Sequence, residues 1–236
     1  MNDTSYLLPL LGNKIYDFKN QCIIDNYGLF SVSCPVTYDP NAKSELFDKF
    51  LDAFTLERQD LKDCIQEFFG CALTGDLWIK KYIHFYGNGD NGKSVLIDLF
   101  RAILGGFSSR ASIDHFDFVK DCRGYIFNEA EETYRSVSAV IKKLLSRDTI
   151  FCKDYNDSVV NHGYPILVSN GNIDWDKSML INVISIPCLY NANKSYKDPF
   201  LFDKLSQPET LSAILNWMIE GELRARTRGS ITLPNY

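Results

Sequence analysis

The chain has 236 residues, 45% hydrophobic and 23% charged, ordinary values for one sizeable globular domain or a core with a smaller appendage. A net charge of −5 argues against a broad basic face for nucleic acid, while leaving room for a few loop lysines acting on DNA. No apolar run approaches the roughly 18 residues of a membrane helix and no signal-peptide pattern opens the chain; the 7 cysteines are scattered, never in C-x-x-C spacing, which argues against disulfides and zinc and for buried thiols in a reducing, intracellular compartment.

Residues 1–43 are aromatic-rich and polar, with turn signals around Gly12, Asn26 and Pro40, and are read as short strands at 14–18 and 29–32. Helical spacing begins at Ser44. Phe47, Phe50, Leu51 and Phe54 share one face, and Leu61, Cys64, Ile65 and Phe68 share the face of a second helix. Residues 1–74 are therefore expected to form a small α+β lead-in, 75–190 the main α/β core and 191–236 a C-terminal helical segment.

The most informative stretch follows. A β-prone run over 82–86 leads into Gly87, Asn88, Gly89, Asp90, Asn91, Gly92, Lys93 and Ser94, a full match to G-x-x-x-x-G-K-[ST], and then into the apolar spacing of a helix that stops at Gly105 and Gly106. Gly87, Gly89 and Gly92 are expected to let the backbone turn so that its N–H groups surround a phosphate, aided by the positive end of the helix. Lys93 is placed to reach the β- and γ-phosphates of ATP, and the Ser94 hydroxyl to hold Mg²⁺.

Residues 107–122 show no clear period. Tyr125 to Phe127 then run into Glu129, Glu131 and Glu132, as expected of a strand ending beside the metal of a P-loop NTPase. Glu129 is the first candidate for Mg²⁺ and for activating the attacking water, with Glu131 or Glu132 sharing the task; Glu131 and Glu132 also suit the first turn of the helix carrying Val140, Ile141, Leu144 and Leu145. Lys142, Lys143 and Lys153 lie in a basic segment that ends in an expected β-hairpin. Residues 164–170 form an apolar strand ending in Ser169 and Asn170, which places Asn170 at the carboxyl edge of a parallel sheet, within reach of the γ-phosphate or the lytic water. A further strand alternates over 181–186. Ser206 and Glu209 have capping-box spacing around Pro208, opening a helix to about Arg226, and the tail 227–236 is read as loosely ordered.

Taken together, the phosphate loop, the acids Glu129 to Glu132 and the segment from Pro165 to Asn170 resemble motifs A, B and C of the superfamily 3 helicases, in the form found in the poxvirus primase-helicase and its relatives in large DNA viruses, phages and plasmids. Residues 7–17, 69–75, 141–148 and 211–221 are similar to flanking segments of that family. The resemblance implies an AAA+-like core with a central, mainly parallel sheet flanked by helices, assembling as a homo-oligomer, a hexameric ring around single-stranded or forked DNA. ATP would sit at subunit interfaces, Lys153 in a DNA-contacting loop with Lys142 or Lys143 as further contacts, and primase and polymerase as possible partners at a viral replication site or in the host cytoplasm.

Two departures stand out. The interval from Ser94 to Glu129 is short for the family, which predicts a trimmed helix or strand. The arginine expected soon after motif C is missing, since no arginine lies between Arg147 and Arg224; Lys177 is a partial substitute. The primase half and C-terminal extension of full-length relatives have no counterpart here, which fits a compact variant, a domain or a decayed gene product. The expected function is thus an ATP-dependent DNA helicase or translocase. The alternative is a nucleotide-binding assembly module with little turnover, and a small-molecule kinase fits the Ser169–Asn170 strand end less well.

Overall fold

The computed structural model describes residues 4–30, 32–111, 121–128, 134–146, 149–152, 157–160, 163–190 and 198–236. The chain opens with an antiparallel meander, β1 (Leu7–Leu10), β2 (Lys14–Asp17) and β3 (Cys22–Asp25). The strand expected at 29–32 is instead at 22–25. The reason is local: the Asn26 side chain accepts from the Leu29 and Phe30 amides and donates to the Phe30 carbonyl, so those backbone groups are satisfied without a ladder.

Two helices follow, α1 (Glu45–Thr55) and α2 (Gln59–Cys71). Ser44 caps α1, its hydroxyl accepting from the Phe47 amide at 3.3 Å. The central layer is then built from β4 (Tyr82–Tyr86), α3 (Lys93–Leu104), β5 (Ser108–Ala111), β6 (Gly124–Asn128), α4 (Tyr134–Ser146), the hairpin β7 (Thr149–Cys152) and β8 (Asp157–Val160), β9 (Tyr164–Ser169), α5 (Lys177–Leu180) and β10 (Val183–Pro187). The chain closes with α6 (Leu201–Leu205) and α7 (Pro208–Arg228).

Five strands form one parallel sheet in the order β10-β4-β9-β6-β5. Strand alternation makes it two-faced. Ile83, Phe85, Ile126, Ile166, Ile184 and Ile186 point into a cluster with α1, α2, α3 and α7, whereas Tyr82, Tyr125, Phe127 and Leu167 point into a second cluster with Val137, Ile141 and Leu144 of α4 and with Trp175 and Met179. Burying each such phenylalanine contributes about 2–3 kcal/mol, and covering both faces is what a parallel sheet requires. The chain is therefore an α/β protein with a P-loop NTPase-type core, an α+β lead-in and a C-terminal helix. No helix among the described residues is long and apolar enough to cross a membrane.

Helices α2 and α7 pack backbone to backbone. A Cβ on Gly70 would strike the Met218 carbonyl and one on Gly221 the Gln66 carbonyl, so glycine at both positions sets the separation of the two helices. Arg123 ties the lead-in to the sheet: its guanidinium donates to the Leu73 carbonyl and, at 2.9 Å, to the Leu7 carbonyl, and lies 4.4 Å from the Phe107 ring centroid.

Three further expectations are corrected. The aperiodic stretch 107–122 contributes β5, a four-residue edge strand too short to show a period; the rest of the interval in which a trimmed element is expected, 112–120, lies outside the described residues. The capping box does not form, because Ser206 terminates α6, its hydroxyl bonded to the Asp203 carbonyl, and Gln207 becomes the N-cap before Pro208. The tail is fastened: Gly229, at φ +74°, ends α7, Ile231 is buried, the Thr232 amide donates to Glu67 at 2.5 Å and the Tyr236 hydroxyl to the Ser185 carbonyl at 2.5 Å.

Candidate functional site

The loop after β4 is shaped by its neighbours. Gly87 has φ +146°, and a Cβ there would lie 2.5 Å from the Cys188 carbonyl just beyond β10. Gly92, at φ +83°, is the N-cap of α3 and sits against the rings of Phe50 and Phe54. Gly89 differs from expectation, for a side chain there would meet nothing within 4 Å. Asn91 is buried and closes the loop, its amide donating to the Asn88 carbonyl at 2.6 Å and the Cys188 carbonyl at 2.8 Å. No side chain caps α3, so the amides of its first turn open towards the adjacent cleft, a favourable arrangement for an anion.

Lys93 is buried, and its ammonium donates to the carbonyls of Gly87 and, at 3.2 Å, Asn88, and to Asn91 Oδ1 at 2.9 Å. The loop thus holds its cation over the cavity floor. The cleft measures about 490 Å³ and is lined by Asp90, Asn91, Lys93, Ser94, Asp98, Arg110, Asn128, Ser169 and Asn170, among others.

Strand order brings these residues together. β9 lies between β4 and β6, with Ser169 opposite Tyr86 and Val168 opposite Asn128. The loop, Asn170 and the end of β6 therefore share one carboxyl edge, the usual ligand-binding edge of such sheets. Ser94 and Asn170 are exposed in the cleft. Glu129, Glu131, Glu132 and Lys153 lie outside the described residues. Lys142 and Lys143 are exposed on α4, with the Lys142 ammonium 3.8 Å from Asp176, and Lys177 opens α5 at the surface.

Four residues were not anticipated. Asn128 ends β6 in the cleft, although it directly precedes the acids. Asp98 lies one helical turn beyond Ser94, a spacing legible in the sequence, and Arg110 comes from the unforeseen strand β5. His84 sits beneath the loop, fully buried, with Nε2 2.6 Å from Ser169 Oγ, whose hydroxyl donates to the Gly171 carbonyl at 2.6 Å. That chain of bonds makes Nε2 the protonated nitrogen and leaves Nδ1 without a hydrogen-bond partner among the described residues.

Burial pushes the His84 imidazole down to about 4. Because its folded pKa lies below the unfolded value of about 6.5, the unfolded chain takes up the proton first, and stability is complete above pH ~6.5 and declines towards pH 4. Urea unfolding is expected to show a protein on the order of 2 kcal/mol less stable at pH 5 than at pH 7, with most of that difference absent in His84→Gln.

A second, apolar cleft of about 490 Å³ shares Asp90, Asn91, Gly92 and Val95 with the first and is walled by Leu46, Phe50 and Phe54 of α1 and by Tyr190, Pro199 and Leu201. The two cavities thus share the loop as a common wall, one polar and one hydrophobic.

No protein-family model and no curated protein matches the chain. Solved structures do. The apo A-form of the NrS-1 C-terminal region aligns at TM-score 0.62 and 14% identity over 78% of this chain and 51% of that one. The apo NrS-1 C-terminal region 305–718 aligns at 0.58 and 12% identity, over 81% and 53%. The JCV helicase aligns at 0.51 and 14% identity, over 79% of this chain and 62% of that one. The chain thus spans about half the length of the NrS-1 region it matches, and what it shares with these proteins is the fold, one also seen in a helicase.

Proposed function

We propose that the chain is an ATP-dependent DNA helicase or translocase domain of the superfamily 3, poxvirus primase-helicase kind, acting inside the cell in viral or mobile-element replication. The observation that carries this is the meeting of Lys93, Ser94 and Asn170 in one cleft at an uncapped helix N-terminus, on a sheet whose order places the Asn170 strand between the loop strand and the strand leading to the acids. Further support comes from the likeness of fold to the JCV helicase, whose name states that activity.

In this reading the triphosphate lies on the amides at the start of α3, and Lys93 exchanges its loop carbonyls for β- and γ-phosphate oxygens. The apolar cleft beside the loop takes the nucleoside base between α1 and the segment around Tyr190 and Pro199. The oxygen donors suit Mg²⁺, which Ser94 would hold together with Glu129, and the ion supplies charge neutralisation at the phosphates when bound. Asn170, fixed by the His84–Ser169–Gly171 bonds behind it, orients the water or the terminal phosphate. Glu129, helped by Glu131, serves as the base. Ring assembly around single-stranded or forked DNA, with Lys153, Lys142 and Lys143 towards the DNA and primase and polymerase as partners, completes the proposal.

The test is ATP hydrolysis with Mg²⁺, measured with and without single-stranded DNA, alongside mass in solution with ATP. Stimulation by DNA together with an ATP-dependent oligomer is the expected result. Failure of DNA to stimulate at any protein concentration would remove the helicase reading. Binding and assembly with background turnover would instead favour a nucleotide-dependent assembly module, a reading motivated by segment 171–182, which offers Lys177 and no arginine.

A further inference from the structure

We propose that Arg110 is a phosphate-contacting residue acting within its own subunit, leaving Asp98 to bind the terminal phosphate of the nucleoside triphosphate. The inference rests on the nucleotide-binding reading above and adds a residue to that site.

Among the arginines whose side chains are described (Arg58, Arg101, Arg110, Arg123, Arg224, Arg226 and Arg228), Arg110 alone lines the loop cleft. The others are committed elsewhere: Arg58 to Asp60 and the Asn235 carbonyl, Arg123 to backbone carbonyls, Arg224 and Arg228 to Glu67, and Arg226 to Glu222 and Asp76. Arg101 stays on α3, 3.5 Å from Asp98.

Arg110 is held loosely. Its Nη2 donates to Asp98 Oδ1 at 2.9 Å, with the two side chains 55% and 36% exposed. An ion pair so open to solvent contributes little, so a more highly charged phosphate competes for the guanidinium effectively. Asp98 is not stranded by the exchange, because Arg101 remains beside it. Asp98 lies four residues along α3 from Ser94, about 6 Å of helix axis, so a rotation of the long Arg110 side chain towards the helix N-terminus covers the distance. The planar fork of arginine grips two phosphate oxygens, which Lys177 cannot do. Lys93 and Arg110 are the cations among the described residues of the cleft, and together they balance more of a triphosphate's charge than Lys93 alone.

The experiment measures Mg²⁺–ATP and Mg²⁺–ADP affinity by calorimetry for the full chain and for Arg110→Ala, Arg110→Lys and Lys93→Ala. Arg110→Ala is expected to weaken ATP about ten- to a hundredfold while changing ADP less than about twofold, with Arg110→Lys recovering only part of the loss. Equal affinity changes for ATP and ADP in Arg110→Ala, or none, while Lys93→Ala still loses both nucleotides, would overturn the Arg110 assignment alone. Unaltered binding in Lys93→Ala, or no binding by the unaltered chain, would overturn the nucleotide site and Arg110 with it.

Discussion

Lys93→Ala is expected to lower ATP turnover by about 10²–10³-fold, the loss that follows when one preorganised charge is taken from a phosphate-transfer site. The ammonium is a point charge held at the cleft by three loop oxygens, and its removal leaves Arg110 as the cation among the described residues of the cleft. Truncation also leaves the Gly87 carbonyl and Asn91 Oδ1 short of a donor, while the Asn88 carbonyl keeps the Asn91 amide, which predicts a looser loop and a modest fall in melting temperature in addition to the kinetic effect. Thermal unfolding measured beside steady-state hydrolysis separates the two. A variant that melts early yet hydrolyses ATP normally would show that Lys93 serves only to brace the loop.

The largest stability effect is expected far from the cleft, at Glu67. Its carboxylate is fully buried on α2 and accepts from Arg224 Nε at 2.7 Å, from Arg228 Nη2 at 2.5 Å and from the Thr232 amide at 2.5 Å. Glu67→Ala removes the acceptor of Arg224 Nε, of one Arg228 bond and of the Thr232 amide, while Arg224 keeps Asp63 and Gln66 and Arg228 keeps Ser230 and Thr232, and unfolding in urea is expected to show a loss of about 2–3 kcal/mol. Burial alone would push the Glu67 carboxyl up, but the hydrogen bonds from Arg228, Arg224 and the Thr232 amide hold it below the ordinary carboxylate range. A depressed folded pKa means that this stabilisation is present above the unfolded value of about 4.3 and is lost as the pH falls through the folded one. Glu67→Gln should therefore flatten the acid limb of the stability profile. A change below about 0.5 kcal/mol in Glu67→Ala would mark the cluster as an ordinary surface network.

The two predictions concern opposite kinds of residue. Lys93 was evident from the pattern around it, since a glycine-rich turn between a strand and a helix is a local arrangement. Glu67 carried no signal, because its partners come from α7 and the tail, more than 150 residues away along the chain. The tail reads as loosely ordered for the same reason: without a period of its own, it is ordered by a buried carboxylate that only the packing of α2 on α7 creates.

Local physics written in the sequence determined the α/β class, the positions of α1 to α4 and of β4, β6, β9 and β10, and the loop that joins Lys93 and Ser94 to a helix N-terminus, because periodicity and turn chemistry act between near neighbours. The tertiary structure decided what lies beside that loop. Strand order set Asn170 and Asn128 along one edge, an unheralded edge strand delivered Arg110 to Asp98, and packing of α1 made an apolar pocket against Gly92. These are contacts between residues distant in sequence, so no local pattern encodes them; they arise when burial of both faces fixes how the strands line up.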